Sequence, residues 1–329
     1  MLGKFNIQVS SKKLKYDLCV QRKITIIRGD SGTGKTTFVQ MVLQARRPKS
    51  PFTVTCEKRC IAFTVDSFTE DTDLTKFSDC ILFFDEDIDF IRTKEFAEIV
   101  KESDCYFVLV TRERLDTLPY SCKEIYQLKR NTLVSFAEEI ENSMHKLFTF
   151  STKPKVDLRD SLSCIIVEDT NAGYEFFKTI ADRKGIDCIS AGGNSNVSKT
   201  YKNRVKQNKD TGILVIVDGA AFGAHYERLS NDIRVFFNTV LYLPESFEYL
   251  VLISDLFKDE MLDCKLDRTY DYADSKMYFS WERYYTELLI KISQKTGLDY
   301  SKKKLNPAYL IPDNFKTISK LFVDELGLK

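Results

Sequence analysis

Gly29, Asp30, Ser31, Gly32, Thr33, Gly34, Lys35 and Thr36 fit the pattern G-x-x-x-x-G-K-[ST], whose chemistry is the capture of phosphate. Glycines let backbone amides close on the anion, Lys35 supplies a point charge, and the Thr36 hydroxyl offers Mg²⁺ a hard oxygen. Thr37 follows at the same helix start. A second group, Asp85 and Glu86, ends the apolar run Cys80-Ile-Leu-Phe-Phe. Asp85 is expected to help hold Mg²⁺ beside Thr36, and Glu86 to polarise an attacking water. Thr111 and Arg112 end a third apolar run, Tyr106-Phe-Val-Leu-Val, where one of the two is a candidate contact to a γ-phosphate, the alternative being an exposed arginine that opens a loop. Glu86, Lys35 and Arg112 are thus the candidate catalytic residues.

Such residues need rigid strands behind them and a helix after the loop. Ile24-Thr-Ile-Ile is β-branched and leads into the glycines, while Phe38 to Gln44 reads as a helix stopped by the prolines of Arg46-Arg-Pro-Lys-Ser-Pro51. Phe5 to Val9 and Tyr16 to Val20 alternate as a hairpin around Ser10-Ser-Lys-Lys13. Thr53 to Cys56 and Cys60 to Val65 read as short strands, Thr93 to Lys101 as a helix, and Glu124 to Lys129 as a further strand. An amphipathic helix over Leu133 to Phe148 is expected to complete the domain, with Ser151-Thr-Lys-Pro-Lys155 as linker.

Beyond the linker the alternation starts again. Ser163 to Val167 leads to Glu168-Asp169, Tyr174 to Arg183 is helix-like, Asp187 to Ser190 leads to Gly192-Gly193, Lys199 to Gln207 is a basic helix, and Ile213 to Val217 leads to Asp218. This β-α-β-α-β order predicts a small parallel sheet with helices on both faces, its ligands beyond the carboxyl ends of the strands. Gly192-Gly193 either lets backbone approach a phosphate or is only a turn, and Lys199, Lys202, Arg204, Lys206 and Lys209 either suit a nucleic-acid backbone or form a solvated face. Farther on, Trp281, Tyr285, Leu288 and Leu289 recur at helical spacing, which favours a packed helix over a base-stacking surface, and a last helix runs from Asp313 to Leu326.

Composition narrows little. A chain of 329 residues predicts two domains; 43% hydrophobic residues and a net charge of +1 describe a globular protein without a global basic field. Nine cysteines scattered among apparent strands and helices read as reduced thiols, and no zinc site is expected from Cys56 and Cys60. No stretch approaches the roughly 20 apolar residues of a membrane span, so a cytoplasmic protein without membrane contact is expected.

The order of hairpin, Gly29 to Thr36 and Asp85-Glu86 resembles an abbreviated ABC-type or RecF-like P-loop ATPase, with Gly29 to Thr36 as Walker A and Asp85-Glu86 as Walker B. The chain has no Leu-Ser-Gly-Gly signature, and Arg112 stands where that family usually has His. Asn208-Lys209-Asp210 differs by one position from the guanine-reading Asn-Lys-x-Asp, and ATP is the expected nucleotide. The second half resembles a Toprim domain, the metal-dependent module of topoisomerases, primases and overcoming-lysogenization-defect (OLD) nucleases. Glu168 matches that family's first-strand Glu and Asp218 the first Asp of its Asp-x-Asp, while Ala220 stands at the second Asp. The resemblance implies Mg²⁺ ligands at Glu168 and Asp218, with Asp169, Glu245 or Glu248 as substitutes for the missing acid.

The fold class expected is therefore α/β: a P-loop NTPase domain over 1–150, a linker over 151–160, a Toprim-like (Rossmann-like) α/β domain over 161–260 and a helical C-terminal extension over 261–329. The whole resembles a compact OLD-type arrangement. It implies ATP and Mg²⁺ as cofactors, and a nucleotide, nucleic acid or protein as partners. It leaves open oligomerisation, nuclease activity and a non-catalytic ATP-dependent switch.

Overall fold

Alternating burial sets the first two strands. Phe5, Ile7 and Val9 of β1 (Phe5–Ser10) and Tyr16, Leu18 and Val20 of β2 (Leu14–Val20) point into the core, and the strands pair antiparallel with Phe5 opposite Val20. The pattern then changes to runs buried on both faces. β3 (Ile24–Arg28) feeds α1 (Lys35–Gln44); β4 (Thr53–Thr55) and β5 (Arg59–Phe63) follow, and then β6 (Cys80–Phe84), α2 (Lys94–Glu102), β7 (Tyr106–Val110) and β8 (Ile125–Arg130). Continuous burial of β3, β6 and β7 is what a parallel sheet covered on both faces requires. This computed structural model describes residues 1–69, 71–130, 140–146, 158, 161–207, 212–235, 238–257 and 260–326.

The helix expected over Leu133 to Phe148 is corrected where it is described: Ile140–Lys146 forms strand β9, antiparallel to β8 and parallel to β2. The open edges of β8 and β2 offer unpaired backbone groups, and filling both outweighs a local helical pattern. The resulting sheet runs β4-β1-β2-β9-β8-β3-β7-β6-β5, with β5, β6, β7, β3 and β8 mutually parallel. One face is packed by Phe38, Val39, Met41 and Val42 of α1, and Phe96 packs edge-on against the stacked rings of Phe84 and Phe107, with centroids 5.3 to 6.3 Å apart.

Two units divide the chain: Met1–Thr149 with Arg268–Ser280, and Phe150–Asp267 with Trp281–Lys329. Residues 268–280, read from sequence as part of a C-terminal extension, belong with the first unit. Ser275 accepts from the N-terminal amine, and its carbonyl takes a 2.7 Å hydrogen bond from the buried Lys23 ammonium. Burial holds the Lys23 pKa down at about 8, against the raising charges of Glu102, Asp274 and Asp104.

In the second unit, β10 (Leu162–Val167), α3 (Ala172–Lys184), β11 (Asp187–Ser190), α4 (Val197–Gln207), β12 (Gly212–Ile216), α5 (Gly223–Arg234) and β13 (Thr239–Tyr242) form a parallel four-stranded sheet of order β11-β10-β12-β13. The mixed α/β class with parallel sheets holds, and the sheet gains a fourth strand the sequence reading did not locate. α6 (Phe247–Ile253), α7 (Glu260–Asp267), α8 (Trp281–Ser293) and α9 (Pro312–Glu325) complete the unit. Phe176 and Phe177 of α3 pack on Phe247, Phe315 and Phe322. Among the described residues no helix is long and apolar enough to cross a membrane.

Candidate functional site

At the carboxyl end of β3 the chain turns through Gly29 to Gly34 into α1. A Cβ on Gly29 would meet Thr33 Oγ1 at 2.7 Å and the Leu128 carbonyl oxygen at 2.9 Å, and Gly34, before the first helical residue, has φ 95°. Both positions therefore exclude ordinary side chains. Asp30, Ser31, Gly32 and Thr37 are exposed, and Thr33 Oγ1 donates to the Asp30 carbonyl at 2.9 Å. Phe38 N is the first amide of α1 to bond back to the Gly34 carbonyl, which leaves those of Lys35, Thr36 and Thr37 without an intrahelical acceptor.

Lys35 is 4% exposed, and its ammonium donates to the carbonyls of Gly29 (2.8 Å) and Asp30 (2.9 Å). Burial lowers its pKa, with the Arg112 charge acting the same way against Glu86. Thr36 Oγ1 donates to Asp85 Oδ1 at 3.4 Å, and burial pushes the Asp85 carboxyl up. A hydroxyl and a buried carboxylate side by side fit Mg²⁺, which keeps several waters and takes one or two protein oxygens.

β7 lies between β3 and β6, so its end falls between the loop and Asp85-Glu86. Arg112 forks the Glu86 carboxylate, Nε to Oε2 at 3.1 Å and Nη2 to Oε1 at 2.8 Å. Lys35 Nζ lies 3.8 Å from the same Oε2. Thr111, the alternative at this strand end, is fully buried, and its hydroxyl closes a turn on the backbone of Glu113. Of the two, Arg112 is the residue brought to Glu86.

In the second unit Glu168 and Asp218 lie past the adjacent strands β10 and β12, where the strand order reverses. Asp218 N donates to Glu168 Oε2 at 3.0 Å. Burial raises the Glu168 pKa to about 7, helped by the charges of Glu282 and Asp169; Asp218 is held well above its usual value by burial and then by Glu168, Glu282 and Glu248. In the orientation that satisfies its amide, Asn194 donates to both Glu168 oxygens at 2.8 and 3.0 Å.

The substitutes for the missing acid divide. Asp169 accepts from the amides of Thr170, Asn171 and Gly173 and so ties down the start of α3. Glu245 is buried, and Glu248 accepts from the Tyr300 hydroxyl at 2.8 Å. Ala220 is itself buried. Sequence reasoning missed Glu282, in the first turn of α8, and Lys302, which pairs with Glu282 and lies 4.0 Å from Glu248 Oε1. Burial works to discharge Lys302, but Glu282, Glu248 and Asp218 outweigh it and hold its pKa above the usual lysine value. No local pattern marks either residue; Lys302 is one lysine of three in Ser301-Lys-Lys-Lys304. Among the described residues no group of three or more His, Cys, Asp or Glu is spaced to hold a metal ion. Glu168 and Asp218 converge at the ends of β10 and β12, with Glu282 and Lys302 as the further charges beside them.

Two cations of the basic helix are committed internally, Lys202 to Asp232 at 2.9 Å and Arg204 to Asp187 at 2.8 Å, while Lys199 and Lys206 are exposed. Gly193 N donates to the Glu168 carbonyl, so the Gly192-Gly193 turn is tied to the end of β10. Tyr285 and Leu289 are buried and Trp281 packs edge-on against Tyr285, which makes this stretch core. Asn208-Lys209-Asp210 and the linker 151–155 lie outside the described residues. No protein-family model, curated protein or solved structure matches the chain.

Proposed function

We propose that the chain is an ATPase that binds Mg²⁺-ATP at the Gly29 to Thr36 loop and couples it to a Toprim-like module acting on nucleic acid. The observation that carries the reading is the convergence of Lys35, Thr36, Asp85 and Glu86 at the carboxyl ends of parallel strands: Thr36 within 3.4 Å of Asp85 and Lys35 within 3.8 Å of Glu86. Backbone amides of the loop and α1 hold the phosphates, and Lys35 neutralises them. Mg²⁺, held by Thr36 and Asp85, would supply charge neutralisation at the phosphate oxygens. Glu86 orients the attacking water by accepting its hydrogen bond. Steady-state ATP turnover tests this reading: Glu86→Gln is expected to cut turnover by about 100-fold or more while retaining ATP binding. Turnover unchanged in that variant would remove the hydrolytic role.

A second reading is a non-catalytic ATP-dependent switch whose second unit binds a protein partner. Lys302 beside the carboxylates, together with Ala220 at the second acid position, favours it. ATP binding with negligible turnover, and no DNA cleavage with Mg²⁺ or Mn²⁺, would select this reading. Cleavage abolished by Glu168→Ala would reject it.

A further inference from the structure

We infer that Arg112 is a latch on Glu86 that opens to the terminal phosphate of a nucleoside triphosphate; the inference rests on the nucleotide-binding reading above. Two cations meet at one carboxylate oxygen: Arg112 Nε at 3.1 Å and Lys35 Nζ at 3.8 Å from Glu86 Oε2. The second guanidinium contact, Nη2 to Oε1 at 2.8 Å, completes a planar fork in which both Glu86 oxygens are taken. A carboxylate so engaged gives one acceptor site on each oxygen, and part of its charge, to the guanidinium and is a weaker acceptor for water. Glu86 is the more enclosed partner, its side chain 15% exposed against 53% for Arg112. The arginine is therefore the arm with room to move.

Lys35 marks where the phosphates come. An anion drawn to the Lys35 ammonium and the first-turn amides of α1 arrives beside the Glu86–Arg112 pair, and it offers the guanidinium another forked acceptor. Transfer of Arg112 from carboxylate to phosphate exchanges one charged hydrogen-bonded pair for another and frees Glu86 for water. A diphosphate ends one phosphoryl group short and leaves the fork intact. The same side chain would thus couple recognition of the triphosphate to release of the group that works on water, making Arg112 a positioning residue for Glu86.

The test is equilibrium binding by the full-length protein of fluorescent ADP and of the matching non-hydrolysable imidodiphosphate ATP analogue, both with Mg²⁺. Arg112→Ala is expected to weaken the triphosphate about tenfold or more while leaving ADP within about threefold, and Arg112→Lys to recover part of the loss. Glu86→Gln removes the competing carboxylate, so triphosphate binding tightens, and that gain disappears when Arg112→Ala is added. Retained ADP binding reports that the variants are folded. Equal effects on both nucleotides, or none on either, would overturn the latch while leaving the nucleotide site standing. If the wild type binds neither nucleotide, the latch and the nucleotide-binding reading fall together.

Discussion

The two units gather charged residues by the same rule and balance them in opposite ways. In each, acidic residues follow the ends of buried parallel strands. In the first unit the Glu86 carboxylate sits between Arg112 and Lys35, beside first-turn amides, which favours an incoming anion. In the second, Glu168, Asp218, Glu248 and Glu282 gather near the Lys302 ammonium, which leaves an excess of acidic groups. Strand topology thus fixes where the clusters lie, and the residues on the following turns and helices fix the charge each cluster presents.

The contrast is sharpest in the response to pH. Burial raises the Glu168 pKa from 4.5 to about 7, so between these values the folded chain holds an extra proton at this group, and its contribution to stability falls as pH rises. With divalent cations chelated, Glu168→Gln should remove that falling limb. It should leave the variant more stable than wild type by on the order of 2–3 kcal/mol above pH 7, the two converging near pH 4. Thermal denaturation across pH checks this, and a wild type whose stability rises through the same window would break the contrast. A smaller effect is expected at Lys302. Its side chain is 39% exposed, and after discounting for solvent screening Lys302→Met should cost about 1–2 kcal/mol at neutral pH. Denaturant titration measures it; a variant as stable as wild type would mean that the ammonium does not hold the acids together.

Much of the first unit was legible because its strands carry their own signatures. Cys80 to Phe84 is a continuous apolar run because both of its faces are covered, and Phe5 to Val9 alternates because one strand face looks inward. The glycine, lysine and threonine of the loop are consecutive in sequence, so their chemistry could be read before their geometry. Ile140–Lys146 was not legible as a strand, because two edges elsewhere in the sheet recruit it. Arg112 could be placed at a strand end, but its fork with Glu86 depends on β7 lying between β3 and β6, an order the sequence does not state. Glu282 and Lys302 lie 64 and 84 positions after Asp218 in the sequence, and only packing brings their charges to it.

The most direct measurement of the central claim is calorimetric titration of Mg²⁺-ATP into wild type and Lys35→Ala. Lys35 is the buried cation of the loop, and its removal takes the fixed positive charge from the phosphate site. The account predicts one ATP site per chain in the wild type and a loss of about 100-fold or more in affinity in the variant. No binding by the wild type, or equal binding by both proteins, would contradict it.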